Sequence, residues 1–378
     1  MDIYKKWVGR LIISAVGLLI IWCGISEWCV HRINEHYTEN EIIALQCNTK
    51  SLYSTAITGY EAMKIPIGLA KKPDLVVLGS SRVMQFREAF FKDISFYNFG
   101  LSGSSLDDLN YAADSILAEH VPKTVIIGMD LWSLDYKWTN RTRHRINEKN
   151  ILATRHHLYI CLWKAMLNNP KVRQQVFESS IREYDVLGHR KAIGLGAAGD
   201  APSGFREDGS HQYGDLITEP TSYETKMAST YDMITEEKSY FEYNGISSES
   251  IAKLETLLLK FKNRGCNVIV VLAPFPADTY KTLSGIEKYN NYMNDFVAAV
   301  NELCQKDSIA CYNFLNPLSL GAETDEIIDG FHSSEKTYAR MTLAMQSDEG
   351  LAKYINADYI EECLKNASNP YYVIPFEK

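Results

Sequence analysis

Five short, largely apolar runs limit what this chain can fold into: residues 75–78, 95–99, 124–127, 267–272 and 310–314. Each is of strand length, and segments with helical spacing stand between them. In 106–120 the apolar residues Leu106, Leu109, Ala113, Ile116 and Leu117 share one face, with Ser105 at the N-cap position. In 248–264 Ile251, Leu254, Leu257, Leu258 and Phe261 do the same, up to a stop at Gly265. Residues 83–91, 285–306 and 334–346 read as further helices. Strands that alternate with helices pair in parallel through right-handed crossovers. The expected fold class is therefore α/β, a flavodoxin-like, three-layer parallel sheet.

The turn after the first run, Gly79-Ser80-Ser81-Arg82, is where such a sheet opens its ligand crevice, and free N–H groups there can stabilise an anion. A serine in that turn is placed as a nucleophile or as a helix cap. The distant segments supply possible partners for the first role. Acyl transfer through serine needs an imidazole to take its proton, a carboxylate to orient the imidazole, and donors for the oxyanion. Ser81 is the nucleophile candidate and His332 the general base. Asp329, three residues earlier in the same loop, is placed to accept from the other ring nitrogen, and Gly103, in a loop of small residues, offers a bare N–H. Arg82 has two readings, contact with an anionic substrate or fastening of the turn. Trp132, Tyr136 and Trp138, just past the third run, read either as a sugar-stacking wall or as packing. His156-His157 and Ser210-His211 fall in no metal-ligand motif, so neither a metal nor a cofactor is expected.

The amino terminus adds a membrane. Residues 11–25 carry no charge, and 7–26 make up about the 20 residues that span a bilayer. Lys5 and Lys6 precede the span and Arg10, near its start, can snorkel to the headgroups, while Trp7, Trp22 and Trp28 lie near its ends as interfacial anchors. Ser26-Glu27-Trp28 lacks a small-x-small cleavage site, so an uncleaved signal anchor is expected rather than a cleaved signal peptide or a buried helix. Basic charge on the cytoplasmic side puts the remainder outside the cell. The resulting division is a cytoplasmic tail (1–6), a transmembrane anchor (7–30), a polar lead-in (31–70), a first half-domain (71–135), an insertion read as a lid or substrate wall (136–246) and a second half-domain (247–378). A net charge of −8 argues against a nucleic-acid binder. The eight cysteines have no paired C-x-x-C spacing, which argues against zinc and leaves buried thiols or disulfides open, Cys304 and Cys311 being the nearest pair beyond the anchor.

Four blocks, in order, resemble the SGNH or GDSL-like hydrolases and acyltransferases: Gly79-Ser80-Ser81, Gly100-Leu101-Ser102-Gly103, Gly128-Met129-Asp130 and Asp329-Gly330-Phe331-His332. The resemblance covers residues 72–135 and 247–346. It implies Ser81, His332 and Asp329 as a triad, with an oxyanion hole from Ser81, Gly103 and the position of Asp130. Two departures stand out. Ser80 replaces the first-block aspartate, as is common in the membrane-anchored branch that resembles teichoic acid D-alanine transfer and alginate acetylation proteins. Asp130 stands where the family has an asparagine; an ionised carboxylate would repel an oxyanion, so it must be protonated, point away or serve another role. The resemblance implies acyl transfer, with acetyl as the group, on an envelope or exported polysaccharide, beside a multi-spanning membrane O-acyltransferase. Its alternatives are a carbohydrate esterase and a degenerate domain that binds glycan or a membrane partner.

Overall fold

The structure is a computed structural model that describes residues 2–54, 63–140, 155–168, 170–178, 191–194, 196–197, 203–214, 216 and 221–374. Its first half runs α1 (Asp2–Arg32), α2 (Glu39–Asn48), β1 (Ser51–Tyr53), α3 (Lys64–Lys71), β2 (Leu75–Leu78), β3 (Phe96–Asn98), α4 (Leu106–Glu119), β4 (Thr124–Met129), α5 (Arg155–Asn168), α6 (Pro170–Glu178) and β5 (Lys191–Ile193). The rest runs β6 (Gly204–Arg206), β7 (His211–Gln212), α7 (Tyr223–Thr235), α8 (Ser248–Lys262), β8 (Asn267–Leu272), α9 (Ala277–Ser284), α10 (Glu287–Lys306), β9 (Ala310–Asn313), α11 (Glu335–Ala344), α12 (Glu349–Ala352) and α13 (Ala357–Asn366).

Five of these strands form one parallel sheet in the order β3-β2-β4-β8-β9, the order of flavodoxin-like doubly wound sheets. Successive side chains of a strand point to opposite faces, so each strand feeds two cores. Val76, Leu78, Val125, Ile127, Val268 and Val270 pack on one side with Leu106, Leu109, Leu254, Leu258 and Phe296 from α4, α8 and α10. Leu75, Val77, Ile126, Ile269 and Val271 pack on the other with Phe86, Phe90, and Tyr338 and Met341 of α11. Both faces are covered, as continuous apolar strands require.

The expected helix over 83–91 does not form. Two 3-10 turns, Ser81–Val83 and Glu88–Phe90, take its place. The Asn98 amide explains this: Nδ2 donates to the carbonyls of Val83 (2.9 Å) and Phe86 (3.0 Å), groups that a continuing helix would have used. The helix expected over 285–306 is present as α10, and a further helix, α9, precedes it with Gly285 and Ile286 between them.

A second sheet, in the order β5-β1-β6-β7, was not expected, since β1 lies in the segment read as a polar lead-in (31–70) and the other three strands in the one read as an insertion (136–246). Its β6–β7 hairpin is fastened to the main sheet: Asn98 N donates to the Asp208 carbonyl (2.8 Å), and the Asp208 carboxylate accepts from Glu88 N (3.0 Å) and Arg87 Nε (3.2 Å). Arg87 also donates to Glu335 of α11 (2.6 Å). Burial pushes the Asp208 carboxyl up, but the Arg87 and Arg206 guanidiniums overrule it and hold it well below the usual carboxylate range. The thiols of all eight cysteines are unpaired.

Candidate active site

The strand order reverses beside β2, between β3 and β4, and Ser81 follows the carboxyl end of β2 there. The turn is packed tightly against the two strand ends. A Cβ at Gly128 would lie 2.2 Å from Val83 Cγ1, and one at Gly79 would lie 2.8 Å from Val83 Cγ2. Ser80 takes the capping role, its Oγ accepting from Arg82 N at 3.1 Å. Ser81 is left for another partner. Its Oγ lies 2.9 Å from Nε2 of His332, and Nδ1 of that ring lies 3.0 Å from both carboxylate oxygens of Asp329.

The loop that presents His332 is held on several sides. Asp329 Oδ1 accepts from the N–H groups of Phe331 and His332, each at 2.8 Å, so the Asp-x-x-His spacing closes a turn as well as orienting the ring. The Gly330 carbonyl accepts from Thr279 Oγ1 (2.6 Å), and Gly330 N donates to the Lys226 carbonyl on α7 (3.0 Å). Only glycine fits there, because a Cβ would lie 2.7 Å from Thr230 Oγ1. Part of the segment read as an insertion thus buttresses the base. Burial pushes the Asp329 carboxyl up, but His332 and these donors prevail and hold it below its ordinary value. An ionised Asp329 fixes the tautomer with the proton on Nδ1 and a lone pair on Nε2 facing the Ser81 hydroxyl.

Asp130 and Arg82 form a buried ion pair, Oδ1 to Nη1 at 3.2 Å, with side chains 5% and 1% exposed. Nη2 of Arg82 donates to the Ala273 carbonyl (2.8 Å), and its guanidinium carbon lies 3.7 Å from the centre of the Phe275 ring. Ser80 also hydrogen-bonds the Asp130 carboxylate. Burial raises the Asp130 carboxyl above its ordinary value, while Arg82, Ser80 and His332 act in the opposite direction. The Asp130 position therefore offers no amide donor to an oxyanion, and its charge is answered by Arg82. Of the two readings of Arg82, this burial fits fastening of the turn and not a substrate contact. The carboxylate and the aromatic rings draw the guanidinium inward, beneath the turn.

Trp132 and Trp138 likewise form no open sugar wall, because both are buried. Trp132 stacks on Phe331 (centroids 5.4 Å apart, planes 20° apart) and donates from Nε1 to the Ser104 carbonyl (3.0 Å). It thus joins the glycine loop to the histidine loop, a role its sequence position gave no sign of. Trp138 stacks on Tyr240. Tyr136 alone of the three is open, at 59% exposed.

The glycine loop is tied to the nucleophile turn by Leu101 N donating to the Gly79 carbonyl (3.0 Å). Gly103 is buried against the start of α4, where a Cβ would lie 2.3 Å from Asp108 Cβ. Among the described residues no acceptor is taken up by the N–H groups of Ser81 and Gly103, which leaves both as candidate oxyanion donors. Together these groups have the parts for nucleophilic attack, proton transfer and anion stabilisation. Comparison of the chain with protein-family models, with curated proteins and with solved structures finds no match.

Proposed function

We propose that this chain is a membrane-anchored, outward-facing serine acyltransferase of the SGNH kind, which moves an acyl group, acetyl in our reading, onto a cell-envelope or exported polysaccharide. The observation that carries the chemistry is the relay from Ser81 through His332 to Asp329. In the proposed reaction Ser81 Oγ bonds to the acyl carbonyl carbon as its proton passes to His332 Nε2. The tetrahedral oxyanion is stabilised by the N–H groups of Ser81 and Gly103. Collapse breaks the bond to the leaving group, which takes the proton from His332. A sugar hydroxyl then attacks the acyl-enzyme, gives its proton to His332, and the acylated sugar departs as Ser81 regains it. Water in place of the sugar makes the same site an esterase.

The polysaccharide acceptor, the acyl group and a multi-spanning O-acyltransferase as donor rest on the four-block resemblance. Support for the anchor comes from α1, whose residues Ile3–Arg32 form a helix long and apolar enough to cross a membrane. The basic residues at its start orient the rest outward. A non-catalytic, glycan-binding domain is the second reading, and the carboxylate of Asp130 in a donor's position favours it. Labelling of the full chain with a fluorophosphonate separates the two. The acyltransferase reading expects covalent modification at Ser81, absent in Ser81→Ala, and turnover of an activated acetyl ester. A folded wild-type chain that neither labels nor turns over the ester refutes it. Acetylated product on an added glycan, against free acetate, then distinguishes transfer from hydrolysis.

A further inference from the structure

The outer end of α1 does not stand free. Trp22 meets the ring of Tyr159 on α5 edge-on, with centroids 5.6 Å apart, Ser26 Oγ accepts from Trp163 Nε1 (2.8 Å), and Glu27 accepts from Tyr159 Oη (2.5 Å). Arg32 Nε donates to the Val176 carbonyl of α6 (3.3 Å). Cys29, Val30 and Ile33 share a small core with Leu158, Leu162, Met166 and Val176. If the span ends near Ser26, Trp22 lies four residues, about 6 Å, inside that end. The α5 residues against it are then at headgroup depth.

The other face of this helix pair is apolar and, among the described residues, uncovered. Ile160 and Leu167 lie seven residues apart on one face of α5, with the exposed Lys164 between them, and Leu167 is 71% exposed. Phe177 on α6 is 50% exposed and packs beside Trp28. A helix that is apolar on two faces is covered on both in its working state. As sequence, 155–178 carries four Lys or Arg residues and one Glu, in a chain of net charge −8. Apolar side chains at headgroup depth, tryptophan nearby and an excess of basic residues are the features of a helix lying in the interface of an anionic bilayer.

We propose that α5 and α6 form a membrane-resting foot, with Ile160, Leu167 and Phe177 set into the outer-leaflet boundary between headgroups and acyl chains beside α1. The inference rests on the reading that α1 spans the bilayer. Its consequence is that the domain bearing Ser81 is held at the membrane surface through two elements instead of swinging on one helix.

The test places the full chain in nanodiscs of phosphatidylglycerol and phosphatidylcholine brominated near the headgroup. Leu167→Trp, Ile13→Trp and Val121→Trp, all at exposed positions, are compared with wild type for their added tryptophan emission. The expected result is blue-shifted, strongly quenched added emission from Leu167→Trp and Ile13→Trp, and none of this from Val121→Trp. Quenching at position 13 but not at 167 overturns the foot and leaves the anchor standing. Quenching at neither position overturns the anchor and the foot with it. Emission at 167 that is blue-shifted but unquenched means a protein surface covers the patch, and overturns the lipid assignment. Equal quenching at position 121 removes any special status for the patch and also overturns it.

Discussion

Ser81 Oγ and His332 Nε2 lie 2.9 Å apart although 251 residues separate them in the chain. The contact is useful only if the ring keeps its lone pair on Nε2, and that is the work of Asp329. Asp329→Asn retains a carbonyl oxygen for the N–H groups of Phe331 and His332 but no longer selects the tautomer. We expect kcat on an activated acetyl ester to fall by roughly 10⁴ with KM and thermal midpoint little changed. Steady-state kinetics with a parallel melting curve checks this; unchanged kcat in a folded variant removes Asp329 from the relay.

The second relationship is the ion pair of Asp130 and Arg82 beneath the same turn. Breaking a buried pair by removing one charge costs about 3–5 kcal/mol, because the other charge is left without an answer. Asp130→Asn and Arg82→Met should therefore each lower stability strongly. The double variant should recover much of the loss, giving a large coupling energy in a double-mutant cycle of denaturant midpoints. Additive losses would show that the two side chains act separately.

What was legible before the fold and what was not follows from the range of each interaction. The five apolar runs and the Asp329-Gly330-Phe331-His332 block are local patterns, and each appears in the structure as a strand or as a single closed turn. Arg82 and Asp130 could each be seen as unusual, one beside the nucleophile and one in a donor's place, but their pairing depends on β2 and β4 lying side by side. Trp132 and Trp138 satisfy a sugar wall and a core equally well as letters, and only the position of Phe331 turns Trp132 inward. The second sheet escaped notice because β6 and β7 have three and two residues, too few to show an alternating pattern. The missing helix over 83–91 was lost to one side chain, Asn98, on a different strand.

Gly103 links geometry to rate. An added methyl would overlap Asp108 Cβ at 2.3 Å and press on the backbone at Asp108 C, 3.1 Å away, so the loop must shift. Gly103→Ala is expected to lower stability by about 1–3 kcal/mol. If the Gly103 N–H serves the oxyanion, displacing it should also reduce kcat by ~10²–10³. Gly103→Ala that melts early but keeps full kcat at low temperature would assign this glycine to packing alone.

The buried His211 gives stability a pH dependence with a determined sign. Burial, reinforced by the positive charges of Arg206 and Lys64, lowers its pKa to about 3, and its Nδ1 has no hydrogen-bond partner among the described residues. In the unfolded chain the same ring titrates near 6.5, as an ordinary histidine does. Between those values unfolding takes up a proton, so this stability is fully present above about pH 6.5 and is lost as the pH falls. Restricting the measurement to pH 7 down to 5 keeps it above the range in which Asp208 and Asp329 begin to contribute. Over that window His211 should account for a loss of about 2 kcal/mol. His211→Phe keeps a flat ring between Phe205 and Tyr213, which pack against it, and removes the titration. The denaturant midpoint of the full chain in detergent should decline less steeply with falling pH in this variant than in wild type. Parallel slopes would mean that His211 is protonated within the fold.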